Sequence, residues 1–548
     1  MKRKSLVLTL AFVLGMGTVL AGCGSNNNGG SSEDAAQVFR MNLRSEPPTL
    51  DLGQAQDNTS FTVLNAIYEG LTTKNEKAEV QPGVAKDWKI SDDGLTYTMN
   101  IDENAKWSNG DAVKASDFEF AWKRILDPNL QPASPYAYQL YYLKNGEEYN
   151  TKKAGVTADQ VGVKAQDDKT LVITLKAPTP YFLGLLSFFT YFPQHEASVS
   201  ANPAFAAEAA TIIGNGPFTL AEWKHNDSIT LKKSDTYNRK DEIKLSEVKM
   251  AMVDDASTEL SMYDTDELDY TGAPTGEIPS DQIPTLKETK KDELRIKGVA
   301  TSYYYVFNTT AEPFDNVNIR KAFAMSINRQ MITDKVTLGG QLPAFAFVPP
   351  GIKGEKDEFR KEQEGSLFKE DNAEAKTLLE KGMQEKGYTK LPEITLIHNT
   401  GAGHKKIAEA IANMWKTNLG VDVKIEAQEW GVFLKNRTNL NYQVARAGWG
   451  ADYNDPMTFI DMFTAGSGNN DTGWKNAEFD KLVNEAKASS DEKVRMTAMA
   501  KAEKMITDDM IIMPIYYYTS VGMLKPNFKN ITIDYKGDIN FSRGYIEE

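Results

Sequence analysis

Cys23 is the only cysteine in a chain of 548 residues. No intrachain disulfide is available, so the fold must be held by buried apolar surface and hydrogen bonds alone. The composition permits this: 41% of residues are hydrophobic and 25% charged. The length suits about two to four structural units. A formal net charge of −14 argues against DNA or RNA as a partner, because phosphate binding draws on a surplus of Lys and Arg.

The position of that cysteine is as telling as its solitude. "MKRKSLVLTLAFVLGMGTVLAGC" opens with three basic residues, runs apolar from Leu6 to Leu20, and reaches small residues before Cys23. The run is short for a membrane span and has the layout of an export signal over residues 1–22. The quartet Leu20-Ala21-Gly22-Cys23 resembles the lipobox of bacterial lipoproteins, which implies lipid on Cys23. The following "GSNNNGGSSEDAA" cannot bury a core and reads as a tether over residues 23–36. The expectation is a globular, extracytoplasmic body anchored to the cell membrane through lipid on Cys23.

From Gln37 onward the pattern is mixed α/β. "TYTMNI" (96–101) and "TLVITL" (170–175) read as strands. "WSNGD" (107–111) offers an Asn-Gly turn. "SDFEFAWKRILDP" predicts a helix with Ser116 as N-cap and Phe118, Ala121, Trp122 and Ile125 on one face. Further helices are predicted over 318–332, 373–387 and 404–419, the last ending at Gly420. "VDVKIEA" then alternates as a strand, and such layering favours a mixed sheet. Composition marks no linker, which suits a chain that crosses between lobes more than once.

Motifs for catalysis are missing. His195, His225, His398 and His404 form no HExxH, and neither GxSxG nor GxxxxGK[ST] occurs. No catalytic residue, metal site or cofactor is expected. "TGAGHKK" (400–406) precedes a helix and has two readings, an anion site at the helix N-terminus or a loop that needs small residues. "DYNDP" starts like a calcium loop but lacks the Gly and Glu that such a loop needs. Asp452 and Asp455 are three apart, yet a hydrolytic carboxylate pair usually comes from separate elements. Tyrosines cluster in "SPYAYQLYYL", "TSYYYVFN" and "IYYYTS". Alternate ones on a strand are suited to a core on one side and a cleft on the other.

"AKDWKISDDGLTYTMNIDENAKWSNGDAVKASDFEFAWKRILDP" (85–128), "NGPFTLAEW", "VNIRKAFAMSINR", "HKKIAEAIANMWKTNLGVDVKIEAQEW" and "ARAGWGADYNDP" occur in this order. They resemble the oligopeptide-binding members of the extracytoplasmic solute-binding proteins, family 5, which serve ABC importers. The resemblance spans nearly all of the chain beyond the tether. It implies an α/β, two-lobed fold of periplasmic-binding-protein type II with an extra domain and a hinge between the lobes. Domain I would comprise 37–68, 197–300 and 521–548, domain II residues 69–196, and domain III residues 301–520. The implied partners are short peptides and the membrane permease subunits of an ABC transporter, with the protein a monomer and not an enzyme.

By resemblance, Asp452 falls where the family holds a peptide's α-amino group. Arg446, His404 and Arg437 fall where C-terminal carboxylates of ligands of different length are met. Tyr136, Tyr304, Trp430 and Tyr518 match cleft aromatics, Trp449 lies in the same segment, and Gly448 and Gly450 permit close approach of the ligand backbone. Gln56 and Thr337 depart from the family's glutamate and lysine, leaving preferred peptide length open around three to five residues. Murein-derived or signalling peptides and a nickel complex are alternative ligands. A cell-surface hydrolase built on Asp452 and Asp455 is the alternative from another class.

Overall fold

The computed structural model describes residues 37–75, 79–363 and 365–547. The expected signal peptide, Cys23 and the tether lie outside them. In chain order the strands are β1 (Val38–Asn42), β2 (Thr72–Lys74), β3 (Val80–Pro82), β4 (Ala85–Ile90), β5 (Thr96–Ile101), β6 (Val163–Ala165) and β7 (Thr170–Thr174). There follow β8 (Phe218–Lys224), β9 (Ser228–Lys233), β10 (Glu247–Ala251), β11 (Tyr270–Gly272), β12 (Leu294–Phe307) and β13 (Leu342–Pro343). Next come β14 (Ile394–Asn399), β15 (Val423–Gln428), β16 (Val444–Gly450) and β17 (Ile512–Leu524).

Three larger sheets result. One has the order β1-β10-β9-β8, a second β4-β5-β7-β6, and the third β11-β17-β12-β16-β14-β15 with β13 on β17. Parallel pairs (β1 with β10, β14 with β15 and β16) mix with antiparallel ones. This is the layering expected where strands alternate with helices. β5 alternates half-buried and buried residues along "TYTMNI", and the Ala115–Ile125 helix buries Phe118, Ala121, Trp122 and Ile125, as their spacing predicts.

Two local expectations are corrected. Ser116 is not the N-cap: the helix already includes Ala115, and Asp117 caps it by accepting from the Lys114 N–H at 2.9 Å. The 318–332 segment is not one helix but Val317–Met325 and Arg329–Ile332. Ser326 turns its hydroxyl back to the Phe323 carbonyl, and Asn328 restarts the chain by accepting from the Met331 N–H. Both residue types prefer caps to helix interiors, and here that preference outweighs the apolar periodicity. The Ala402–Leu419 helix ends at Gly420 with φ of 73°, the left-handed stop its glycine predicts.

Candidate functional site

β16 leaves part of one edge uncovered. Along one side it pairs with β12 from Thr301↔Gly450 to Phe307↔Val444. Along the other, β14 reaches only Val444 and Ala445. The Ala451 N–H donates to the Ala300 carbonyl at 2.9 Å. The alternation of an antiparallel ladder therefore turns the N–H and C=O groups of Arg446, Gly448 and Gly450 away from β12. All three residues line a cavity of about 870 Å³. A Cβ on Gly448 would stand 3.3 Å from both Arg446 Nη2 and the Tyr518 hydroxyl, and one on Gly450 3.1 Å from Thr301 Oγ1. Side chains at either place would crowd the wall.

Asp452 follows the strand and is only 6% exposed. Its backbone N–H donates to Thr458 Oγ1 at 3.0 Å, and Gln139 Nε2 donates to its carboxylate at 3.3 Å. Among the described residues no Lys or Arg nitrogen lies within 4.0 Å of that carboxylate. Burial pushes its pKa well above the usual carboxylate range; Lys536 opposes the shift while Asp461 and Asp538 add to it. Lys536 is itself paired with Asp538 at 2.5 Å. A buried carboxylate without a cation is costly, and a ligand ammonium would relieve it.

Arg446 presents the opposite charge at the other end of the same segment. Its guanidinium lies 4.9 Å from the Tyr303 ring centre, donates to the Tyr518 hydroxyl, and reaches Asn399 Oδ1 at 3.4 Å. Its Nε has no partner, and among the described residues no carboxylate oxygen lies within 4.0 Å. His404 Nδ1 sits 3.3 Å from the Tyr303 hydroxyl. Burial pushes the His404 imidazole well below its ordinary pKa, and Arg446 and Arg44 push it further. A neutral ring can hydrogen-bond a carboxylate but adds no charge. Arg437 is engaged by Asp471 at 2.6 Å, so a ligand carboxylate would have to share it.

The aromatic residues divide. Trp449 donates from Nε1 to the Thr458 carbonyl at 2.7 Å and stacks on Tyr136 with centroids 6.1 Å apart. Both line the cavity, as do Trp430, Tyr518, His404 and Arg437. Tyr304 is the exception: at 2% exposure it packs edge-on against Phe347 and lies outside the lining. Tyr303 and Tyr305 are buried too, so neither set of tyrosines in "TSYYYVFN" forms a cleft face. Gln56 lines the cavity, whereas Thr337 donates to Gln341 and does not. Asp455 is also absent from the lining and is held by Arg495 at 2.7 Å. That separates it from Asp452 as a hydrolytic partner.

Sequence reasoning missed Asp57, Lys74 and Lys536, which all line the cavity. Asp57 had a readable signal, since it caps the Asn58–Ile67 helix by accepting from the Ser60 N–H. Lys74 and Lys536 had none, because they arrive from segments far apart in sequence.

Residues 79–471 match the family model of the bacterial extracellular solute-binding proteins, family 5. The chain belongs to this family. It is 42% identical to the oligopeptide-binding protein OppA of Bacillus subtilis over 557 residues, covering 100% of both chains. It is 43% identical to the dipeptide-binding protein DppE of the same organism over 538 residues, covering 97% of each. The murein tripeptide binding protein MppA of Escherichia coli superposes with a TM-score of 0.87 at 32% identity, covering 94% of this chain and 99% of that one. The unliganded open form of MppA gives 0.61, at 33% identity over 93% and 98%. The family 5 fold is the two-lobed, periplasmic-binding-protein type II architecture with an extra domain.

Proposed function

We propose that this family 5 protein captures short peptides in the cavity beside β16 and delivers them to the permease of an ABC importer, tethered to the membrane by lipid on Cys23. The observation that carries the reading is one open strand edge with an unpaired buried carboxylate, Asp452, at one end and an arginine, Arg446, at the other. A free peptide is a backbone with an ammonium and a carboxylate at its ends. Its backbone would add to the edge in strand fashion, with specificity left to the surrounding walls. From residue 446 to 452 an extended chain covers about 20 Å, which suits ligands of about three to five residues. The names of OppA and DppE support the peptide class.

Capture works by closure of two lobes. Domains I (37–68, 197–300, 521–548) and III (301–520) would be joined by β12 and β17, with domain II (69–196) packed beside them. The sheets support this division: β1 and β8–β10 fall in the first set of segments and β4–β7 in the second. The β12–β17 register slips between Gly298 and Ser302, where the two main lobes would meet. The higher TM-score against MppA than against its open form supports a closed arrangement. Ligand binding shifts the population only through its extra contacts in the closed state.

The test is calorimetry with a neutral tripeptide, followed by mass spectrometry of the recovered ligand. Saturable binding with the peptide recovered intact is expected. Absence of binding would overturn the reading, and cleaved peptide would favour a hydrolase.

A pH dependence follows from Asp452. Its raised pKa means that a share of the ligand-free closed protein is protonated there at mildly acidic pH. The ligand ammonium needs the carboxylate, so binding expels that proton and affinity falls as pH drops. His404, already neutral, adds no opposing charge in this range. The fall should begin at a higher pH than an ordinary carboxylate near 4 would give, as the pH drops from neutral through the acid range. Titrations in buffers of different ionisation enthalpy should detect proton release; an affinity flat across that range would remove Asp452 from the ammonium site.

A further inference from the structure

The cavity holds a further uncompensated charge that the peptide's two ends do not use. Lys74 closes β2, the strand that pairs with β3 from Thr72↔Pro82 to Lys74↔Val80. The Thr72 hydroxyl ties that strand to the Leu183 carbonyl at 2.7 Å. The lysine stem runs over Gly184, where a Cβ would stand 4.0 Å from Lys74 Cε. The glycine thus leaves room for the chain to lie along this wall, and Lys74 lines the cavity.

Among the described residues the Lys74 amine has no hydrogen-bond partner, and no carboxylate oxygen lies within 4.0 Å of it. Several other cavity cations differ. Lys536 is paired with Asp538, Arg437 with Asp471, and Arg239 with Glu69. Lys74 lies within electrostatic reach of Lys536, which repels it, and of Asp534, Asp538 and Asp452, which attract it. Asp534 is occupied by the N–H groups of Lys536, Gly537 and Asp538. Burial, with Lys536 adding to it, pushes the Lys74 amine down to about 8. The amine therefore sits in the ligand cavity, on the Asp452 side, without a resident anion.

We infer that Lys74 is a specificity-determining residue that receives a carboxylate carried by the first or second residue of the bound peptide. This rests on the peptide-binding reading with Asp452 at the amine. Occupancy of Asp452 by a ligand ammonium would leave Lys74 facing one more positive charge. An acidic side chain near the peptide's amino end neutralises both the lysine and that repulsion. Removing an unpaired cation from water is repaid best by a charge-assisted hydrogen bond. A neutral isostere such as glutamine can hydrogen-bond the amine but leaves its charge uncompensated.

The experiment compares Glu with Gln at each position of an alanine tripeptide, by calorimetry on the wild type, Lys74→Met and Lys74→Arg. In the wild type, Glu at the first or second position should bind about tenfold tighter than Gln, with the third position showing no such ratio. The ratio should fall to about one in Lys74→Met and persist in Lys74→Arg, whose longer side chain keeps the charge. The ratio is read within each protein, so a general loss of affinity does not mimic the effect. A wild-type ratio of one at both positions, or an undiminished ratio in Lys74→Met, overturns the inference while leaving peptide capture intact. Failure of every peptide to bind the wild type overturns the peptide reading and this inference with it.

Discussion

Asp452→Asn should bind a free tripeptide some thirtyfold to several thousandfold more weakly than the wild type, a loss of about 2–5 kcal/mol. The substitution keeps the size of the side chain and its bond to Gln139 but removes the charge that would face the ligand ammonium. In the closed cavity that ammonium would then be desolvated without a counter-ion, which is the larger part of the cost. The ligand itself supplies the control. Acetylating the peptide amine removes the cation, so it should weaken binding to the wild type strongly and to Asp452→Asn little further. Two changes that act on one contact are non-additive. Stability should move the other way: the buried carboxylate of the ligand-free protein is unfavourable at neutral pH, as its raised pKa states. The variant should therefore melt no lower than the wild type. Calorimetry with the four protein–peptide pairs and a thermal melt would decide it, and strictly additive losses would place the amine elsewhere.

How much of this was legible in the sequence depends on the distance over which each feature is specified. The stripe Ile407, Ile411, Met414 and Trp415 is buried as its spacing predicts, because helix periodicity is local. The 318–332 segment has the same periodicity but carries Ser326 and Asn328, and their capping bonds divide it. Within "VARAGWGADYNDP" residue types alone could not rank Asp452 against Asp455. What distinguishes them is Arg495, forty residues away, which neutralises Asp455 and leaves Asp452 bare. Tyr304 and Tyr518 likewise belong to similar tyrosine runs. Only the neighbouring strands and Phe347 decide that Tyr304 packs in the core while Tyr518 reaches Arg446. The cavity is thus legible where one segment carries both Asp452 and Arg446. It is illegible where Lys74 and Lys536 converge from separate segments.

Gly403→Ala should make the protein melt higher and bind peptide more weakly. Gly403 stands in the first turn of the Ala402–Leu419 helix, where alanine is favoured over glycine by roughly 0.5–1 kcal/mol. Its N–H donates to Glu277 Oε1 at 2.8 Å, and a Cβ there would stand 2.2 Å from the same oxygen. Beside it, Gly401 has φ of 145° and Arg44 Nη2 reaches the Thr400 carbonyl at 3.3 Å. Lys406 pairs with Asp281 at 3.2 Å. Arg44, Glu277 and Asp281 lie in the segments proposed for domain I, and 400–406 in those proposed for domain III, so under that division these contacts would exist only when the lobes meet. Of the two readings of "TGAGHKK", both hold in part. The helix N-terminus does take an anion, but the anion is the protein's own Glu277, and the glycines make room for it. Alanine at 403 would displace that carboxylate and remove a charge-assisted bond from the closed state alone. The loss of about 1.5–3 kcal/mol corresponds to roughly ten- to hundredfold in affinity. Since no ligand contact is touched, the change should appear as faster peptide release and a larger open fraction by small-angle scattering. Stopped-flow release that is unchanged in a variant with a raised melting temperature would show that closure does not depend on this contact.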